Sequence, residues 1–118
     1  MDTFELKLSR KDGHLAVLEV GGYINNEAGE AIAEEAIRLL ADGHRILLFD
    51  LGATRIINSI GISLLLEVLE KVMEVSGTLA FCSLSPSIAK TFQIMGLSQY
   101  TQIYPDRISA LETLAAST

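Results

Sequence analysis

The segment that decides the fold is Ile46–Leu51, with the sequence ILLFDL, followed closely by residues 56–61, with the sequence IINSIG. The first is a continuous apolar run, as expected of a strand in a parallel sheet that helices cover. We expect a short loop at residues 52–55 and then a helix. Asn58 is a good N-cap, because its side-chain oxygen can accept from a first-turn amide. Ser59 is then predicted at the exposed mouth of the helix, where free N–H groups and the helix dipole favour a phosphoryl group.

Working outward, strands alternate with helices along the whole chain. Alternating residues from Phe4, then an Asp12-Gly13 turn, predict a hairpin whose second strand ends at Gly21-Gly22. The other predicted elements are a helix over 27–41 capped by Asn25 or Asn26, a strand over 45–51, a helix over 59–75, a strand over 78–84, a helix from Pro86 to near Gly96 with Phe92 and Met95 in the core, a strand over 100–104, and a helix over 107–115 before a frayed tail at 115–118. This order predicts an α/β fold with a mostly parallel sheet and an N-terminal antiparallel hairpin strand.

Composition indicates one globular domain spanning residues 1–118, with 49% hydrophobic and 20% charged residues. The net charge of -6 disfavours nucleic acid as a direct partner, because phosphate binding needs clustered Lys and Arg. No apolar run reaches the ~18 residues that span a membrane. The acidic, alternating start is not typical of a signal peptide. We therefore expect a cytoplasmic protein without membrane insertion.

The sequence shows no pattern of an enzyme or of a cofactor site. His14 and His44 lie beside turns at predicted strand starts, without a nucleophile at a catalytic spacing. Cys82, the single cysteine, is predicted to be an inert core thiol and excludes a cysteine-based zinc site. The glutamates of the first helix predict a solvated face rather than a metal site: Glu27, Glu30, Glu34 and Glu35. Nucleotide-binding glycine motifs are absent. We predict neither catalysis nor a metal or cofactor.

Four stretches, in their order and spacing, carry a family resemblance. Residues 22–25 (GYIN) stand where the family has a Gly-x-Leu-Asp turn, and Ile46–Leu51 matches its hydrophobic strand ending in Asp-Leu. Residues 58–61 (NSIG) match Asp-Ser-Ser-Gly, and residues 82–86 (CSLSP) with 92–97 (FQIMGL) match a strand and a proline-started helix with a Gly-Leu ending. Over about residues 4–111, the chain resembles the STAS domain, and within it the bacterial anti-sigma factor antagonists. The resemblance implies a STAS-type βα superhelix.

The same resemblance implies a function in signal transduction. In the antagonist branch, the serine that corresponds to Ser59 is phosphorylated by an anti-sigma factor that is itself a protein kinase. The unphosphorylated antagonist binds this anti-sigma factor and frees the sigma factor for transcription. Phosphorylation ends the binding, and a phosphatase acting on phospho-Ser59 restores it. The expected partner-binding residues are Tyr23, Asn25, Asn58, Ser59, Ile60, Gly61 and Ile62.

Two residues depart from the family motif and leave alternatives open. Asn58 replaces the aspartate, so the cap is kept but a carboxylate beside the Ser59 hydroxyl is lost. Ile60 replaces the second serine and adds apolar surface; it and Ile62 belong either to the core or to a partner contact. Thr54, in the predicted loop, is a second candidate for modification. The alternative function is a non-phosphorylated STAS subunit of a membrane transport or other signalling complex, in which Ser59 is only an interface residue.

Overall fold

The computed structural model describes residues 3–115, which form an α/β fold. The elements are β1 (Phe4–Asp12), β2 (Leu15–Ile24), α1 (Asn26–Ala41), β3 (Ile46–Ile57), α2 (Ser59–Glu74), β4 (Thr78–Cys82), α3 (Pro86–Ile94), a short 3₁₀ helix (Leu97–Gln99), β5 (Gln102–Tyr104) and α4 (Arg107–Ala115). The predicted order of strands and helices is confirmed. Of the frayed tail expected at 115–118, Ala115 is instead the last residue of α4, and residues 116–118 lie outside the described residues.

One sheet organises these elements, with the strand order β1-β2-β3-β4-β5. The pair β1–β2 is antiparallel, and the pairs β2–β3, β3–β4 and β4–β5 are parallel. The mostly parallel sheet with an antiparallel N-terminal strand is thus confirmed. Because neighbours in the sheet are also neighbours in the sequence, the helices wind along it as successive crossovers.

The two faces of the sheet have separate cores. Phe49, Phe81 and Phe92 belong to the larger core, in which α1, α2 and α3 pack, and the Phe81 and Phe92 rings meet edge to face with centroids 4.9 Å apart. On the opposite face, α4 packs through Ala110 and Leu114. Successive side chains of a strand point to opposite faces, so one apolar run in β3 supplies both cores. That is why this segment has no alternating pattern.

The predicted ends of β2 and β3 are wrong. Gly21 and Gly22 do not end β2, which continues to Ile24, and residues 52–55 are not a loop but part of β3. Gly22 has a φ of 87°, and the β2–β3 register shifts on either side of the two glycines, but the strands stay paired as far as Ile24 and Ile57. Thr54 is 5% exposed and its hydroxyl donates to the Val20 carbonyl at 2.7 Å, so it is not an exposed candidate for modification. Small residues that suggested a loop are held in the sheet by the neighbouring strand.

The region after β4 needs smaller corrections. Phe92 is fully buried as predicted, but Met95 is 44% exposed because α3 ends at Ile94, just before it. Gly96 has a φ of 82°, which turns the chain out of the helix and into the 3₁₀ segment. The strand β4 ends at Cys82, since Ser83 has a φ of 63°. Strand β5 is correspondingly short.

Candidate functional site

The N-termini of α1 and α2 open side by side at one edge of the sheet. Ile24 and Ile57, the last residues of β2 and β3, are register partners, and each is followed directly by the N-cap residue of a helix. Asn25 is the N-cap of α1, with Oδ1 accepting from the Ala28 amide at 3.1 Å. The same arrangement recurs at α2. Two positive helix ends therefore face the same side of the molecule.

Asn58 is the N-cap of α2, and its hydrogen bonds join the start of this helix to the end of β2. Its Oδ1 accepts from the Gly61 amide at 2.8 Å, and its own amide donates to the Ile24 carbonyl at 3.1 Å. Its carbonyl accepts the first helical hydrogen bond, from the Ile62 amide at 3.0 Å. The side-chain Nδ2 donates to the Tyr23 hydroxyl at 3.3 Å. The predicted cap is confirmed, and it ties α2 to the end of β2.

Gly61 allows α2 to lie directly against β2. A Cβ atom at Gly61 would stand 2.4 Å from the Ile24 carbonyl oxygen, so a larger residue would push the helix off the strand. Gly61 is buried, and the side chain of Ile62 is 0% exposed within the larger core. The expectation that Gly61 and Ile62 contact a partner is therefore corrected: both face the sheet, and both position the helix.

Ser59 and Ile60 take the opposite side of the first turn. Ser59 is exposed as the first residue of α2, and Ile60 is 52% exposed. Ile56 is 58% exposed and is the register partner of Tyr23. Six residues at this end of the sheet are named the Ser59 surface. Ile56, Ser59 and Ile60 are exposed, and Tyr23, Asn25 and Asn58 are half-buried.

Sequence reasoning missed Ile56 because it ended β3 at Leu51. Two adjacent residues of a strand point to opposite faces. Ile56 and Ile57 could therefore not both be buried under the same layer of helices. Once β3 is known to continue to Ile57, the two adjacent isoleucines indicate an exposed apolar side chain, since one of them must lie on the uncovered side of the sheet.

The first turn of α2 suits an added negative charge at Ser59. The turn has no acidic residue, and Asn58 occupies only the Gly61 amide, which leaves the amides of Ser59 and Ile60 ahead of the first helical hydrogen bond. Ser63, one turn later, donates its hydroxyl to the Ser59 carbonyl at 3.0 Å. A phosphoryl group on Ser59 would meet the positive helix end without a neighbouring carboxylate in that turn.

A second polar cluster, not found from the sequence, lies on the α4 face. Arg107 donates from Nε to Asp50 at 2.9 Å, from Nη2 to Glu19 at 2.6 Å, and from Nη1 to the Ser9 hydroxyl at 3.1 Å. The hydrogen bond from Arg107 lowers the pKa of Glu19, and the carboxylates raise the pKa of Arg107. The cluster borders a recess of about 360 Å³ and joins α4 to β1, β2 and β3. Arg107 follows its partners by 57 residues or more, so no local pattern could reveal it.

Cys82 has the environment predicted for an inert thiol. Its side chain is 0% exposed, and burial raises its pKa to about 11. Within residues 3–115, no group of at least three His, Cys, Asp or Glu side chains is placed to hold a metal ion. In the same part of the chain, no helix has the length and apolar character needed to cross a membrane.

A mixed sheet with an antiparallel first strand, and helices wound along it in chain order, is the architecture expected of a STAS-type βα superhelix. The sequence model of the STAS domain matches residues 6–110. The chain therefore belongs to the STAS domain family. The capped helix with Ser59 at its mouth lies inside the matched region.

One curated relative has a name from the anti-sigma factor antagonist branch of this family. The chain is 29% identical over 101 residues to BtrV of Bordetella bronchiseptica, which its name describes as a proposed anti-sigma factor antagonist; the match covers 86% of this chain and 84% of BtrV.

Solved structures confirm the fold. A crystal structure of an anti-sigma factor antagonist from Mycobacterium paratuberculosis is similar, with a TM-score of 0.81, 24% identity, and coverage of 95% of this chain and 94% of that one. The anti-sigma factor antagonist SpoIIAA in its unphosphorylated form gives a TM-score of 0.78 at 16% identity, covering 97% of this chain and 100% of that one. The Bacillus protein SpoIIAA in its phosphorylated form gives 0.72 at 19% identity, covering 95% and 99%.

Proposed function

We propose that this STAS domain is an anti-sigma factor antagonist whose Ser59 is a phosphorylation switch. The unphosphorylated chain binds a kinase-type anti-sigma factor in the cytoplasm through the Ser59 surface and thereby frees a sigma factor. The kinase then phosphorylates Ser59, the complex dissociates, and a phosphatase returns the chain to its binding state. The chain itself performs no catalysis in this scheme.

The observation that carries this proposal is the exposure of Ser59 and of Ile60 in the first turn of α2, with exposed Ile56 shortly before them at the end of β3. Both isoleucines are more than half exposed. Exposed apolar side chains give a partner area to bury, and an exposed hydroxyl in the same helical turn as Ile60 can be modified without disturbing the core. The names of BtrV and of the similar solved structures support the same function.

The switch depends on where the negative charge of a phosphoserine is tolerated: at the free N-terminus of α2, but not under a bound partner. A phosphoserine adds about -1.5 to -2 charges and three strong acceptors. In the free chain, the first-turn amides and water solvate this charge, so the fold is kept. A partner packed over Ser59 and Ile60 would have to bury it. Uncompensated burial of a charge costs several kcal/mol, and ~3 kcal/mol already weakens binding more than a hundredfold.

The first test is affinity capture from the source cell's lysate with the wild-type chain and Ser59→Asp as parallel baits. We expect a kinase-like protein on the wild-type bait and its loss from Ser59→Asp. Ser87→Asp is the matched control, because Ser87 is an exposed residue in the first turn of α3, after Pro86. The control should retain the partner.

The same capture separates the alternative function. Asn58 stands where the family has an aspartate, and a STAS subunit that is not phosphorylated would bind its complex whatever the charge at residue 59. Membrane transport subunits held equally by the wild-type and Ser59→Asp baits would refute the antagonist proposal. They would instead establish a constitutive interaction.

A further inference from the structure

The outer edge of β1 is unpaired in the sheet, because β1 is the first strand in the order and bonds only to β2. The Tyr23 amide donates to the Thr3 carbonyl at 3.2 Å, so Thr3 and Tyr23 form a hydrogen-bonded pair of the β1–β2 ladder. In an antiparallel pair, bonded and non-bonded residues alternate. The backbone groups of Glu5 and Lys7 therefore point inward to β2, as those of Thr3 do. The N–H and C=O groups that point outward belong to Phe4, Leu6 and Leu8.

The sequence of this edge is complementary to itself. Residues 4–8 read FELKL, so Glu5 and Lys7 are placed symmetrically about Leu6, and Phe4 and Leu8 are placed symmetrically outside them. If two copies pair antiparallel with Leu6 opposite Leu6, each Glu5 lies opposite a Lys7. Each Phe4 then lies opposite a Leu8. Directly opposed side chains share a face of the sheet, so unlike charges meet and apolar groups meet.

We propose that two copies of this chain associate through the β1 edges into a continuous sheet, with the two-fold axis at Leu6. The outward groups of Phe4, Leu6 and Leu8 then form the bonded pairs across the axis. Glu5 and Lys7 form the non-bonded pairs, in which side chains approach more closely. An open strand edge is a template for a further strand, and here the template matches its own sequence.

The charge pattern distinguishes the Leu6-centred register from the registers next to it. With the axis at Glu5, the two Glu5 carboxylates would face each other, and with the axis at Lys7, the two Lys7 ammonium groups would. Like charges directly opposite each other destabilise a strand pair. A slip by a single residue would oppose side chains of different faces. The charge pattern therefore favours the Leu6-centred dimer over its neighbours.

The surroundings of the two charged residues agree with this pairing. Glu5 and Lys7 are exposed, and no salt bridge within residues 3–115 uses either of them. Lys7 lies opposite Glu19 on β2, whereas Glu5 lies opposite Gly21, which offers it no charge. A Lys7 from a second copy would supply the cation that Glu5 lacks. On the other face, Phe4, Leu6 and Leu8 are only half-buried against the core, so the second copy would cover more of them.

The bulge at Ser9 limits the interface. The β1–β2 register shifts between Leu8 and Arg10, so the straight part of the edge ends at Leu8. Bulges bend and twist an edge strand. The pairing is therefore restricted to a short ladder. Interfaces of this size are typical of weak, reversible association, so we expect a dissociation constant in the micromolar range.

The test is sedimentation equilibrium of the purified chain over a concentration series that reaches the high-micromolar range. Wild type should dimerise. Each single reversal, Glu5→Lys or Lys7→Glu, turns two attractive pairs into two repulsive ones and should raise the dissociation constant by about tenfold. The double variant exchanges the two charges and should return to nearly the wild-type value. This rescue depends on the Leu6-centred register.

Controls separate pairing from net charge and from folding. Lys90→Glu and Glu112→Lys make the same charge reversals at exposed residues of α3 and α4, and they should leave dimerisation unchanged. Leu6→Pro removes an outward N–H donor but no bond to β2, so it should abolish the dimer while circular dichroism shows a folded chain. A wild-type monomer throughout the series would overturn the proposal. So would a dimer that the double variant fails to restore, or one that the control reversals weaken equally.

Discussion

The Ser59 surface and the Arg107 cluster are both polar regions built on β2 and β3, but they differ in what remains open. The guanidinium of Arg107 has a hydrogen-bond acceptor at each of its three nitrogens, contributed by three strands. At the Ser59 surface, Ser59, Ile56 and Ile60 are all exposed, and the amides of Ser59 and Ile60 precede the first helical hydrogen bond. Charge density alone therefore does not mark a functional site. A satisfied cluster fixes structure, whereas open donors next to apolar surface are available to a partner.

The largest effect should come from placing a charge in the Ser59 surface. Ile56→Asp and Ile60→Asp should each weaken binding of the captured partner by about a hundredfold, because a buried apolar contact becomes an unpaired charge. The free energy of unfolding should change by less than ~0.5 kcal/mol, as both side chains are exposed. Titration calorimetry and chemical denaturation measure the two quantities. Ile108→Asp, at a residue of α4 that is 73% exposed, is the control and should bind normally.

The converse should hold for the Arg107 cluster. Arg107→Ala removes hydrogen bonds to charged groups and should lower the free energy of unfolding by about 2 kcal/mol, with partner affinity unchanged. Urea denaturation measures the first quantity. Arg10→Ala is the matched control, because Arg10 pairs only with exposed Asp12 and such pairs contribute about 0–1 kcal/mol. A loss of partner binding in folded Arg107→Ala would show that the two regions are not separate.

Asn58 should affect both the stability of the domain and the phosphorylation of Ser59, but modestly. Asn58→Ala removes the cap of α2 and the contact with the Tyr23 hydroxyl, and should lower the free energy of unfolding by about 1 kcal/mol. Asn58→Asp keeps an acceptor for the Gly61 amide and restores the family's carboxylate beside Ser59. In a timed kinase assay, Ser59 of this variant should be phosphorylated faster than Ser59 of wild type, because the carboxylate beside the acceptor hydroxyl assists the transfer. Equal rates would show that the carboxylate has no role here.

The smallest effect should be the pH dependence of the Arg107 cluster. The pKa of Glu19 is lowered from its ordinary value of 4.5 by Arg107 and Ser9. The resulting stabilisation is present above the unfolded pKa and is lost as the pH falls through the folded pKa. Stability should therefore decline below about pH 4.5, and less steeply in Arg107→Ala. Thermal unfolding at a series of acid pH values measures the slopes; identical slopes would remove Glu19 from the account.

The sequence predicted the parts of the molecule that depend on local signals. The apolar run of β3, the Asn58 cap, an asparagine cap at 25 or 26 and the proline-started α3 were all visible from neighbouring residues. The ends of β2 and β3 were not, because small residues such as Gly52 and Ala53 resemble a loop until a neighbouring strand holds them. The burial of Gly61 and the contacts of Arg107 were also hidden, since each depends on residues distant in the chain.

One phosphoryl group at Ser59 should end partner binding without unfolding the domain. The most direct measurement is the affinity of the purified partner for the chain before and after stoichiometric phosphorylation of Ser59, with thermal unfolding of both forms measured in the same buffer. We predict affinity at least about a hundredfold weaker after phosphorylation, with nearly equal unfolding temperatures. Equal affinities of the two forms would contradict the account, and so would a phosphorylated chain that binds weakly only because it has unfolded.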